Sequence, residues 1–123
     1  MRHPGTPMIF AYDTDDGSLL AFAAHAEAAA HCKAIDVSDG YWLFFDDDGS
    51  PLEARFEPPG ESGDVGASVG AYSLQRAMSG RWLQERLGKI SVVRGCGLSS
   101  VDELVETLRI NRGKRAAAAN RRG

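Results

Sequence analysis

Met8-Ile9-Phe10-Ala11-Tyr12, the turn Asp13-Thr14-Asp15-Asp16-Gly17, and Ser18-Leu19-Leu20-Ala21-Phe22 follow one another without a gap. Two apolar runs around a turn ending in Asp-Gly spell a β-hairpin, because glycine supplies the positive φ that such a turn demands. Immediately downstream, Ala23 to Ile35 is dominated by alanine and holds no Gly or Pro, so it reads as a helix. Its small side chains suit close packing on a sheet. Asp36-Val37-Ser38-Asp39-Gly40 ends that helix. Tyr41-Trp42-Leu43-Phe44-Phe45 is then apolar on both faces, as a central strand would be. A second acidic turn, Asp46-Asp47-Asp48-Gly49-Ser50-Pro51, leads into Leu52-Glu53-Ala54-Arg55-Phe56-Glu57. That run alternates apolar and charged residues as a strand with one wet face does. Residues 8–57 therefore read as a β-β-α-β-β unit.

The second half is less regular. Residues 58–70, with two prolines and four glycines, read as a mobile loop. Ala71 to Leu74 reads as the start of a strand, and Arg76 to Leu87 as helical with an interruption at Ser79-Gly80. Ile90-Ser91-Val92-Val93 suggests one more strand before the Gly95-Cys96-Gly97 turn. Ser100 and Glu103 have capping-box spacing, and Val101, Leu104, Val105 and Leu108 fall on one helical stripe. Beyond Ile110 the apolar stripe stops and a basic run begins, so residues 111–123 are expected to be frayed or disordered. Residues 1–7 are expected to be a flexible leader and residues 8–110 the folded core of a single domain. The fold class is α+β: a mainly antiparallel sheet of four to six strands, the Ala-rich helix on one face, and a C-terminal helix.

Charge is unevenly spread. Residues 1–65 hold thirteen acidic and three basic residues, a sum of −10, while residues 66–123 hold eleven basic and four acidic ones, a sum of +7. Such separation bears on partners and association rates rather than on fold. Folding can also bring the two halves together and neutralise them internally.

Sites that would carry chemistry are mostly lacking. Aligning either Asp-rich turn on a calcium loop puts Phe44 or Tyr12 at the first ligand position and Arg55 or Ala23 at the last, so both alignments fail. His25, Cys32 and Asp36 lack the paired spacing of a zinc site, and no metal or other cofactor is expected. Cys32 and His31 are neighbours that point about 100° apart on a helix, so Cys32 reads as a buried small hydrophobe. Glu53 and Glu57 lie on the wet face of a strand with nothing to raise a pKa. No nucleophile elbow, P-loop or dinucleotide fingerprint occurs. No catalytic residue is assigned and the chain is not expected to be an enzyme. No run approaches the ~20 apolar residues of a membrane span. The N-terminal stretch lacks an apolar leader, so both cysteines are expected as free thiols in the cytoplasm.

Ile9-Phe10-Ala11-Tyr12, the Asp/Gly turn, the Ala/Glu helix ending Ala34-Ile35-Asp36-Val37, then Gly40-Tyr41, Phe45-Asp46, Asp48-Gly49 and Pro51-Leu52 resemble small bacterial immunity proteins. These neutralise secreted polymorphic toxins, including those of contact-dependent growth inhibition. The resemblance covers residues 8–57 and rests on fold-defining positions. It implies a stoichiometric cytoplasmic inhibitor that forms a heterodimer with the C-terminal domain of one cognate toxin and covers its active site. Many such toxins are nucleases with basic clefts, which an acidic inhibitor suits. The expected toxin-binding residues are Asp13, Asp15, Asp16, Asp46, Asp47 and Asp48, joined by Glu53 and Glu57. In the simplest antiparallel arrangement both Asp-rich turns lie at one edge of the sheet as a single anionic patch. Two other readings stay open: a homo-oligomeric adaptor or structural protein, and a nucleic-acid module using the basic C-terminal residues. The tail has no interleaved aromatics for base stacking, which disfavours the latter.

Overall fold

The computed structural model describes residues 8–56 and 72–122. The order is β1 (Ile9–Asp13), β2 (Ser18–Phe22), α1 (His25–His31), α2 (Ala34–Ser38), β3 (Trp42–Phe45), β4 (Pro51–Phe56), β5 (Tyr72–Arg76), a 3-10 helix (Leu83–Lys89), β6 (Val92–Arg94) and α3 (Val101–Arg122). The strands form one six-stranded sheet in the order β5-β4-β3-β1-β2-β6. Every pairing is antiparallel except that of β2 with β6, which is parallel with Leu19 opposite Val93. The fold is α+β, as the hairpin and helix patterns imply.

Helices cover both faces. Successive residues of a strand point to opposite sides, so β1 and β3, central in the sheet, must be apolar throughout. Phe10, Tyr12, Leu19, Ala21, Phe45 and Val93 pack with Leu83, Leu104 and Leu108 on one side. Ile9, Ala11, Phe44 and Leu74 pack with Ala28 and Cys32 on the other. Burying large groups such as Phe10, Leu19 and Leu104 contributes about 1.5–3 kcal/mol each, and all three are fully enclosed.

Several expectations need correction. The single helix over residues 23–35 is two helices, broken where Cys32 and Lys33 are extended. The Tyr72 hydroxyl donates to the Cys32 carbonyl at 2.6 Å, tying the break to β5. The helix expected over residues 76–87 is the end of β5, an irregular stretch, and then the 3-10 helix. Gln75 instead pairs with Glu53 across the β4–β5 ladder. On α3, Leu104 and Leu108 are buried while Val105 is 41% exposed, so the stripe is narrower than its spacing suggested. The Ser100 hydroxyl caps it as expected, accepting from the Glu103 N–H at 3.2 Å, but the Glu103 carboxylate reaches back to the Ser99 N–H at 2.7 Å. Finally, α3 does not stop near Ile110. It runs on through the basic segment to Arg122, for a reason that lies in the second acidic turn. Residues 1–7, the loop expected over residues 58–70 and Glu57 lie outside the described residues.

Candidate functional site

The register of β1 on β3 decides where the aspartates go. Asp13 lies opposite Trp42, and Phe10 opposite Phe45. The turn after β1 and the turn after β3 therefore leave the sheet at opposite ends, separated by about 10 Å of strand. The single anionic patch expected from both turns does not form. Neighbouring antiparallel strands run in opposite senses, so loops that follow them must emerge at opposite ends.

The turn after β3 faces inward. Asp48 and Ser50 are 5% and 3% exposed. Ser50 donates its N–H and hydroxyl to Asp48 Oδ1 at 3.0 and 2.7 Å. The Gly49 carbonyl accepts from Leu83 N at 2.8 Å, the Asp48 carbonyl from Gln84 Nε2 at 2.9 Å, and the Asp47 carbonyl from Asn111 Nδ2 at 2.8 Å. The Arg115 guanidinium then reaches all three carboxylates: Asp47 at 2.8 Å, Asp46 at 3.3 Å and Asp48 at 3.4 Å. Arg76 approaches Asp48 at 3.5 Å and Asp46 at 3.9 Å. Burial alone would push the Asp48 carboxyl up, but Ser50, Arg115 and Arg76 together hold it below its ordinary value. Asn111 and Arg115 come from the segment expected to be frayed helix or disordered, and these bonds fasten it to the sheet.

Asp46, Asp47 and Asp48 bring carboxylate oxygens within 4.8 Å of one another, which is metal-like spacing. Two guanidinium groups already supply the positive charge there. The cluster is an internal clasp between the acidic and basic halves of the chain. Asp48, buried beneath it, presents nothing to a partner.

The turn after β1 faces outward. Asp13 Oδ1 accepts from Asp15 N at 2.8 Å, and Gly17 N closes the turn on the Asp13 carbonyl at 2.9 Å. Gly17 has φ +80, and a Cβ there would sit 2.8 Å from the Lys89 carbonyl, so both backbone and space require glycine. Hydrogen bonds from the Ser18 hydroxyl and N–H, with some help from Arg94, hold the Asp16 carboxyl below its usual value. Thr14 N donates to the Tyr41 carbonyl at 2.9 Å, and the Thr14 hydroxyl to the Gly40 carbonyl at 3.1 Å. This stitching joins the turn to the chain entering β3. Asp13, Asp15, Asp36, Tyr41 and Trp42 then line an open depression of about 380 Å³. Tyr41 is 49% exposed, and Ile35, next to Asp36, is 55% exposed. Among the described residues none of these three aspartates has an ion-pair partner within 4.0 Å.

Of the eight residues expected to bind a partner, then, Asp13 and Asp15 share this depression and Asp16 is exposed beside them. Asp46, Asp47 and Asp48 share the clasp. Glu53 lies on β4, bonded to Gln75 at 3.0 Å and near Arg55 at 3.8 Å. Sequence reasoning missed Asp36, Tyr41 and Trp42. Their only local signal was an aromatic pair directly after a helix stop, and nothing local says that β1 borders β3.

The two cysteines differ in accessibility. Cys32 is fully enclosed, and burial, then Asp13 and Asp36, push its thiol up to about 12. A thiol so far from ionisation is no nucleophile near neutral pH. Both cysteines are free, with Cys96 exposed at φ 52 in its glycine-flanked turn. No described helix is long and apolar enough to cross a membrane. No family model, curated protein or solved structure matches the chain.

Proposed function

We propose that the protein is a cytoplasmic immunity protein that binds the C-terminal domain of a cognate toxin, in the first instance a nuclease, and neutralises it by covering a basic active site. The observation that carries this reading is the depression where Asp13, Asp15 and Asp36 surround Tyr41 and Trp42. Interface anchors are typically aromatic, sit centrally and are ringed by polar groups. Unpaired carboxylates at the rim steer a basic partner and set its orientation. The resemblance of residues 8–57 to immunity proteins points the same way.

The basic residues of α3 weaken the nucleic-acid alternative. Arg115 is engaged by the aspartate clasp, Arg109 by Glu106, and Arg112 lies 5.1 Å from the Trp82 ring. Arg109 and Arg115 are thus neutralised by carboxylates inside the chain, which leaves Arg112 and Lys114 as the cations between residues 109 and 115 without one among the described residues.

The test is binding to the toxin domain encoded beside the gene. Tyr41→Ala should weaken the complex at least tenfold, the scale of an interface hot spot at about 1.4 kcal/mol or more. Changing Asp13, Asp15 and Asp36 together to Asn should slow association severalfold at low salt, with the difference shrinking as salt is raised. Absence of binding to that domain would end the immunity reading. Binding that ignores both variants would move the interface elsewhere.

A further inference from the structure

A second concavity lies on the other face of the sheet, between the 3-10 helix and α3. It is an open cleft of about 410 Å³ whose lining includes Gln84, Leu87, Val105, Leu108, Arg109 and Arg112. That volume falls at the small end of the range for small-ligand pockets, about 300–1,000 Å³. Its floor is apolar: Leu108 is buried beneath it, and Val105 beside it is 41% exposed. Its rim is cationic. Arg112 is held over the Trp82 ring at 5.1 Å and has no carboxylate within ion-pair distance among the described residues. Arg109 is drawn towards Glu106, one helical step back, so Arg112 is the cation with spare capacity. Among the described residues no Asp or Glu lines the space.

We infer that this pocket binds a small organic anion with a compact apolar body, its body against Leu87, Val105 and Leu108 and its carboxylate on Arg112. Charge complementarity selects the head: a neutral apolar molecule would fill the floor yet leave the guanidinium hydration unused, and a cation would be repelled. The small volume of the cleft suits a small molecule, since a protein partner needs a contact surface of about 1,000 Å² or more. Arg112 binds as a pre-positioned donor because the indole face already restricts its rotamers, which lowers the ordering cost of the contact. The site is independent of the acidic depression and of the toxin reading.

The experiment is titration of the full chain with octanoate, 2-naphthoate and 1-octanol, followed by amide NMR shifts. Saturable octanoate or naphthoate binding, with shifts centred on Leu87, Val105, Leu108 and Arg112, supports the inference. Which of the two anions binds more tightly tells an aliphatic from an aromatic body. 1-Octanol should bind at least tenfold more weakly than octanoate. Val105→Trp should abolish binding by filling the pocket. Arg112→Gln, at a solvent-facing position that keeps the fold, should weaken both anions at least fivefold while leaving 1-octanol unchanged. Absence of saturable shifts, shifts centred elsewhere, equal binding of octanol and octanoate, or anion binding unaffected by Arg112→Gln would each overturn it.

Discussion

Replacing Arg115 by Gln removes the cation that spans Asp46, Asp47 and Asp48 and leaves Arg76 as a neighbour of Asp46 and Asp48 alone, at 3.9 and 3.5 Å. An exposed ion pair contributes about 0.2–1 kcal/mol, and a hydrogen bond to a charged group about 1.5–3 kcal/mol. Arg115 lies between these regimes: its side chain is 43% exposed, whereas the carboxylates it reaches are 7–20% exposed. The expected loss is about 1–1.5 kcal/mol, or a fall of about 4–6 °C in Tm for a domain of this size. Its pH dependence follows from Asp48, whose folded pKa lies below the ordinary 3.8. A depressed carboxylate pKa stabilises the fold fully above the unfolded value and ceases to do so as pH falls through the folded one. The parent therefore has more to lose on acidification than the variant, and the gap between their melting temperatures should narrow as pH falls below the ordinary carboxylate value of 3.8. Thermal unfolding followed by circular dichroism at neutral and acid pH measures both effects. A variant that melts within about 1 °C of the parent at neutral pH would refute the clasp, since about 0.3 kcal/mol is no more than a weak surface pair. A gap that persists unchanged in acid would show that the loss is not electrostatic.

Three further outcomes are expected. Changing Asp46, Asp47 and Asp48 together to Asn should destabilise the protein by about 2–3 kcal/mol, measured by urea unfolding, while changing toxin association less than about twofold. Gly95→Ala should cost roughly 2–4 kcal/mol by the same assay, because Gly95 has φ +97 and a Cβ there would strike the Ala21 carbonyl. In thiol labelling of the native protein, the exposed Cys96 should react and Cys32 should not, its thiol being enclosed and pushed up to about 12; prompt labelling of Cys32 would contradict the packing around α1.

Much of the architecture is local and was legible. Alternation in Leu52–Phe56, doubly apolar runs at Ile9–Tyr12 and Trp42–Phe45, and the Ser100 cap are written in neighbouring residues, because strand and helix periods depend on a few backbone angles at a time. The alanine run marked a helix, yet its break at Cys32 coincides with a hydrogen bond from Tyr72, forty residues away. The same limit governed the site. The acidic turns were visible as turns, and their aspartates as charges, but not which would meet cations. Arg115 reaches Asp47 across 68 residues of chain. Asp36 and Tyr41 meet Asp13 because β3 lies beside β1 in antiparallel register. A strand's residues state that it will pair, and its two faces state how deeply it is buried. Which strand it pairs with, and in which sense, is settled by the combined burial of both sheet faces under α1 and α3. That tertiary choice sent one aspartate turn inward to hold the protein together and left the other outward, facing solvent.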